Sequence, residues 1–180
     1  MVSDSSTGDE QADCLPSGQI PLDALPLVID ANAKPATDLL SQSILEVLRL
    51  IREDLAMDMV LVTMHIGDDV VIRHAVTASE EPIVEGMSHP KDLSICQRVL
   101  EGRLPSVIPD MEALKQTHDV PPTPIVPAAF MAVPVVLASG RRYGVLCCLK
   151  STPMLELDAF HHRRLEMSAQ HIARLVDEAG

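Results

Sequence analysis

Aromatic side chains are almost missing from this 180-residue chain: Phe130, Tyr143 and Phe160 are the whole set, with no tryptophan. A site built from stacked rings is therefore disfavoured, and Met, Leu, Val and Ile must fill the interior, the nine methionines packing most adaptably. Positive charge is also short. Fourteen Lys and Arg face 26 Asp and Glu, a net charge of −12, and no basic stripe exists to displace counterions from a nucleic acid. No apolar run approaches the roughly 18 residues that span a bilayer. The first residues, MVSDSSTGDEQAD, lack the basic start and apolar middle of a secretory signal. The expectation is a cytoplasmic protein with no nucleic-acid or membrane partner.

Cysteine is sparse and unpatterned. Cys14, Cys96, Cys147 and Cys148 show neither CxxC nor zinc-ligand spacing, and in a reducing cytosol they read as free thiols. Cys147 and Cys148 adjoin in an expected strand, so they point to opposite faces and do not chelate one ion. GxSxG, Walker A and HExxH motifs are absent, and no carboxylate pair is placed together. Catalysis and a metal site are not expected.

What is present is one globular domain with some extra length, 47% apolar and 22% charged. Residues 1–34, with Pro16, Gly18, Pro21 and Pro26, read as a flexible tail in which LPLVID (25–30) docks as a short piece. Residues 35–180 form the folded domain. Thr37 or Asp38 caps a helix whose Leu40, Ile44, Val47, Leu48, Ile51 and Leu55 recur at helical spacing. MVLVTMHIGDDVVIRHAVT (59–77) reads as a β-hairpin turning at Gly67-Asp68-Asp69.

A polar loop with Pro82, Gly86 and Pro90 leads to DLSICQRVLEGR, a helix with Leu93, Cys96, Val99 and Leu100 on one face and a stop at Gly102. SVI (106–108) is a short strand, MEALKQTH a weaker helix, and VPPTPIVP (120–127) a loop. AFMAVPVVLASGRRYGVLCCLKST (129–152) is a second hairpin, with Pro134 marking an edge or a bulge. Asp158 caps a last helix carrying Phe160, Leu165, Ile172, Leu175 and Val176, with HHRR on its wet side.

The order helix, hairpin, crossover, hairpin, helix implies an α+β fold: an antiparallel sheet of about five to six strands, with the hairpins meeting centrally. The terminal helices share one face. The crossover covers a cavity on the other. Leu39, Leu50 and Leu175 lie off the buried stripes, which leaves the terminal helices an outer surface suited to a homodimer, or a wider core face.

SICQRVLEGRLPSVIPD, AFMAVPVVLASGRRYGVLCCLK and DAFHHRRLEMSAQHIARLV, in that order, resemble three segments of the GAF domain family, small-molecule sensory modules of signalling proteins. The resemblance covers roughly residues 37–178. It implies a ligand pocket between sheet and crossover, a small-molecule partner, and an output such as a histidine kinase or a cyclic-di-GMP enzyme, attached or separate. Specialised branches match less well. The Asn-Lys…Phe…Asp-Glu signature of cyclic-nucleotide binders is absent. Bilin-binding relatives carry Cys-His, and Thr117 precedes His118 here, which disfavours covalent bilin. Free methionine sulfoxide reductases would match Cys96, but their catalytic thiol would fall near Thr123, where no cysteine stands.

Haem requires an axial ligand, and His65, His74 or His118 could face the cavity; a lone strand histidine is more often hydrogen-bonded core, so haem is disfavoured. The first turn near Ser94 and Cys96 offers backbone N–H groups. Candidate ligand-binding residues are thus His65, His74, Ser94, Cys96, Asp110 and His118, with Cys96 read as pocket wall ahead of reactive centre. The leading reading is a sensory domain for an unidentified small ligand; the alternatives are a ligand-free dimerisation or docking module and a thiol-based redox or methionine sulfoxide reductase activity at Cys96.

Overall fold

Two residues of the LPLVID segment, Val28–Ile29, form a strand (β1) that pairs with Ser88 and Met87. The rest of the expected tail, and the caps Thr37 and Asp38, lie outside the described residues, which are 28–29, 39–78 and 84–179 of this computed structural model. The apolar spacing after Asp38 produces helix α1 (Leu39–Asp54), which buries Ile44, Leu48 and Ile51. Strands β2 (Met59–Ile66) and β3 (Asp69–Thr77) follow as an antiparallel hairpin. Its two-residue turn works because Gly67 takes φ of 63°, a conformation that strains a side chain with a Cβ.

The next strand was not expected. Met87–Pro90 (β4), read from sequence as polar loop, pairs with β3 from Asp69 to Val71 and carries Ser88 and His89. After a 3-10 turn, helix α2 (Ile95–Leu100) begins at Ser94, whose Oγ accepts from the Gln97 amide at 3.2 Å. Strand β5 is only Val107–Ile108, and helix α3 (Met111–Lys115) is capped by Asp110 Oδ1, which accepts from the Glu112 and Ala113 amides. Strands β6 (Ala129–Val136) and β7 (Arg142–Lys150) form the second hairpin, and α4 (Ala159–Ala179) starts at Asp158.

The seven strands lie in the order β1-β4-β3-β2-β7-β6-β5, every pairing antiparallel. The hairpins meet at β2 and β7, in register from Met59 opposite Leu149 to Thr63 opposite Val145. Because strand side chains alternate, each central strand feeds two cores. Val60, Val62, Met131, Val133, Leu146 and Cys148 face the layer of α1 and α4. Leu61, Phe130, Ala132, Val145, Cys147 and Leu149 face the crossover, with Ile95, Cys96, Ile108 and Met111. Cys147 and Cys148 thus belong to opposite cores. Burying each large aliphatic side chain contributes about 1.5–3 kcal/mol, so both layers matter to stability.

Pro134 is exposed, because β5 pairs only with Phe130 and Met131 and leaves the far half of β6 as an edge. Phe160, expected on the buried stripe of α4, is instead 63% exposed: Leu165, Ala169, Ile172 and Ala173 form that stripe, and Phe160 lies outside it in the first turn. The crossover is tied down by Arg98, which donates to the Asp119 carboxylate at 2.5 Å and to its carbonyl at 2.7 Å.

One close approach sets the centre of the sheet. A Cβ on Gly144 would stand 2.3 Å from the Thr63 carbonyl oxygen, and backbone in a paired strand has little room to retreat. Gly144→Ala is expected to destabilise the fold by about 1–3 kcal/mol. A urea denaturation midpoint equal to that of the parent protein would remove this account.

Candidate functional site

The crossover does not close fully on the sheet. Between them lies a cavity of about 50 Å³, measured as space open to the centre of a water-sized sphere. A single water needs roughly 10–15 Å³ on that measure, so the space takes a few waters or a small organic group. Leu61, Ile72, Phe130 and Leu149 make an apolar floor; Ser94, Ile95 and Cys96 of the crossover form one wall, and Thr123, Pro124 and Ile125 of the Pro-rich loop another. Ser88 and His89 enter from β4.

Three polar groups give this apolar space a direction. Thr63 is 2% exposed, and its hydroxyl makes no well-formed hydrogen bond, although it weakly favours the thiolate of neighbouring Cys147. Ser94 is 1% exposed; its oxygen is engaged as the cap of α2, which leaves its proton to donate. His89 is half-buried, and burial lowers its pKa more than the nearby Asp69 carboxylate raises it.

Of the six residues expected at a ligand, Ser94 and Cys96 stand in the cavity wall. His74 does not. It pairs with Val62, whose side chain lies in the helical core, so His74 points to the opposite face of the sheet. His65 lies in a row with Val70 and His89, on the cavity face but towards the hairpin turn, outside the wall. Its pKa is lowered by burial first, then by the charges of Arg142 and Lys91. Asp110 caps α3 on an outer hollow, and His118 is exposed, its Nδ1 2.8 Å from Thr117 Oγ1. Sequence reading missed Thr63, Ser88 and His89, and it missed that Cys96 meets Cys147.

Among the described residues no group of three or more His, Cys, Asp and Glu side chains is placed to hold a metal ion. His161 Nδ1 turns to Asp158 at 2.7 Å and His162 Nδ1 to Glu166 at 3.6 Å, so the two histidines diverge. No helix among the described residues is long and apolar enough to cross a membrane.

The family profile of the GAF domain matches residues 40–179. The chain belongs to the GAF domain family. No curated protein matches it in sequence. In structure it is similar to the GAF domain of an Acinetobacter phosphoenolpyruvate-protein phosphotransferase, at 12% identity and TM-score 0.61, over 78% of this chain and 83% of that one. The cyanobacteriochrome receptor PixJ is similar at 15% identity and TM-score 0.57, over 78% and 97% of the two chains. A segment of a methyl-accepting chemotaxis protein matches at 13% identity and TM-score 0.62, over 77% and 89%. The antiparallel sheet with helices is therefore the GAF arrangement, and the cavity of this GAF domain lies between its sheet and its crossover.

Depressed histidines make stability depend on pH in a definite sense. Below the ordinary histidine pKa of about 6.5 the unfolded chain takes up protons that folded His65 and His89 resist, so stability falls as pH falls. The urea midpoint should drop between about pH 7 and pH 5, and His89→Gln should flatten part of that slope. If neither His89→Gln nor His65→Gln changes the slope, these side chains are not its source.

Proposed function

We propose that this GAF domain is a sensory module that binds a small, weakly polar molecule in the cavity and passes occupancy to an output domain or partner protein. The observation that carries the reading is the buried Thr63 hydroxyl in the wall of an apolar cavity. Buried polar groups are nearly always hydrogen-bonded, and a ligand or an ordered water that accepts from Thr63 would complete it. Ser94 and His89 would add a second and third contact, and Cys96 and Phe130 the apolar walls. A few heavy atoms fill the space as it stands; a haem or bilin would require the crossover to move away from the sheet. The likeness to a phosphotransferase, a photoreceptor and a chemotaxis protein supports a signalling role through the shared fold.

A second reading, homodimerisation through the terminal helices, is favoured by one surface. Phe160, Arg164 and Met167 share a face of α4 at i, i+4 and i+7 spacing, and Phe160 and Met167 are 63% and 62% exposed. Arg164 stacks 5.5 Å from the Phe160 ring centre and bonds Asp54, one turn beyond Leu50, itself 60% exposed on α1. The result is an exposed surface carrying Phe, Met and Arg, side chains enriched at protein interfaces, next to the Arg164–Asp54 pair.

Native mass spectrometry of the purified protein, followed by a thermal-shift screen of metabolites, tests the first reading. A binder should raise Tm of the parent protein, and Thr63→Val, which keeps the shape and removes the hydroxyl, should weaken it by about tenfold, the worth of one hydrogen bond. A protein that emerges empty and shifts with nothing leaves the docking reading in possession. For that reading, light scattering should give twice the 19.5 kDa chain mass, reduced to one chain by Phe160→Asp with Met167→Asp. A monomeric parent protein would exclude it.

A further inference from the structure

Cys96 and Cys147 come from segments 51 residues apart, and their Sγ atoms stand 2.8 Å from each other across the cavity wall. That is closer than two unbonded sulfurs normally rest. A disulfide requires about 2.05 Å, so an approach of roughly 0.75 Å, within the reach of side-chain rotation in a first helical turn, would join them. The pair is asymmetric: Cys96 is 8% exposed, Cys147 fully buried. Cys148, the immediate neighbour of Cys147, faces the other core and cannot compete.

We infer that Cys96 and Cys147 are a reversible dithiol–disulfide pair, oxidised by a small peroxide admitted to the cavity, which locks α2 to β7. The space of about 50 Å³ beside both sulfurs accommodates hydrogen peroxide but few larger oxidants. The more accessible Cys96 sulfur attacks one peroxide oxygen. The O–O bond breaks, the departing hydroxide takes the Cys96 thiol proton and leaves as water, and Cys96 becomes a sulfenic acid. The Cys147 sulfur then attacks the Cys96 sulfur. The S–O bond breaks, and the departing hydroxide takes the Cys147 thiol proton as a second water. Two thiols are oxidised by two electrons and one peroxide is reduced to two waters; a dithiol reductant reverses the bond by exchange. Burial raises the pKa of Cys147, which keeps its proton in place until that second step. The disulfide would remove two thiols from the wall and fix the helix that carries Ser94, so oxidation and cavity occupancy would act on the same element. The inference does not rest on the ligand reading, since it needs only the two sulfurs and the space beside them.

The test is made on the reduced full chain treated with hydrogen peroxide, then alkylated under denaturing conditions and digested with trypsin. The expected product joins DLSICQR (92–98) to YGVLCCLK (143–150), lighter by the mass of two hydrogens and opened by dithiothreitol. Fragmentation between the adjacent cysteines should place the link on Cys147 and the alkyl label on Cys148. In Cys147→Ser, Cys96 should stop as a sulfenic acid that dimedone captures; if that variant does not fold, the peptide map of the parent protein decides alone. Cys96 and Cys147 both alkylated after peroxide, a link to Cys148 or Cys14, or Cys96 driven to sulfinic acid in the parent protein would each overturn the inference.

Discussion

Thr63 and Val145 lie opposite each other where the two hairpins meet, and Gly144 lets β7 come close to the Thr63 carbonyl. From this contact follow both cores of the molecule. With β2 and β7 locked in register, each consecutive residue must choose a face: Leu146 and Cys148 go to the helices, Val145 and Cys147 to the crossover. A slip of one residue would exchange the sets, turning Thr63 into the helical core and leaving the cavity a different lining. The same register that builds the fold thus decides which polar groups line the cavity.

The crossover packs on the sheet through Ile95, Cys96, Leu104, Ile108 and Met111, and it is also held at fixed points that flank the cavity. The Ser94 cap fixes the start of α2, Arg98 clasps Asp119, and β5 hangs the segment on β6. The Arg98–Asp119 pair ties α2 to the chain just after α3; Arg98 is 12% exposed and Asp119 mostly open to water, so the pair positions more than it stabilises. Between these fixed points, with hardly any large rings available, Cys96, Ile95 and Ile125 do not fill the space. Scarcity of aromatics, read first as a limit on core building, becomes the reason that room remains beside Thr63.

Much of the architecture was legible in the sequence, because its signals are local. The 3 to 4 residue apolar spacing in α1, Gly67 at the first turn, Asp158 as a cap and Pro134 on an edge each act through their own neighbourhood. The site was less legible, for reasons that are tertiary. A bulge between Val62 and Thr63 moves the pairing on β3 from His74 directly to Ile72, so counting along the strand does not reveal which histidine faces the cavity. MSHP has weak strand propensity and ends in proline; it is a strand because β3 offers it an edge, and that makes His89 part of the wall. Cys96 and Cys147 show no spacing motif because the fold, not the chain, makes them neighbours.

How occupancy could reach the outside follows from β7. Cys147 forms part of the cavity wall, while Cys148 and Leu146, its neighbours on either side, are packed among residues of α1 and α4. A shift of the β7 backbone large enough to be felt at Cys147 cannot leave both neighbours where they were, since close-packed cores transmit displacement instead of absorbing it. The exposed faces of those helices carry Leu39, Leu50, Phe160 and Met167, large apolar side chains that a partner would cover. A ligand biases such a system only through its different affinity for two arrangements of the sheet and helices. For the proposed sensory role, the quantity that matters is therefore not how tightly the cavity would hold an occupant, but how differently it would hold it with the helix pair covered and with it bare.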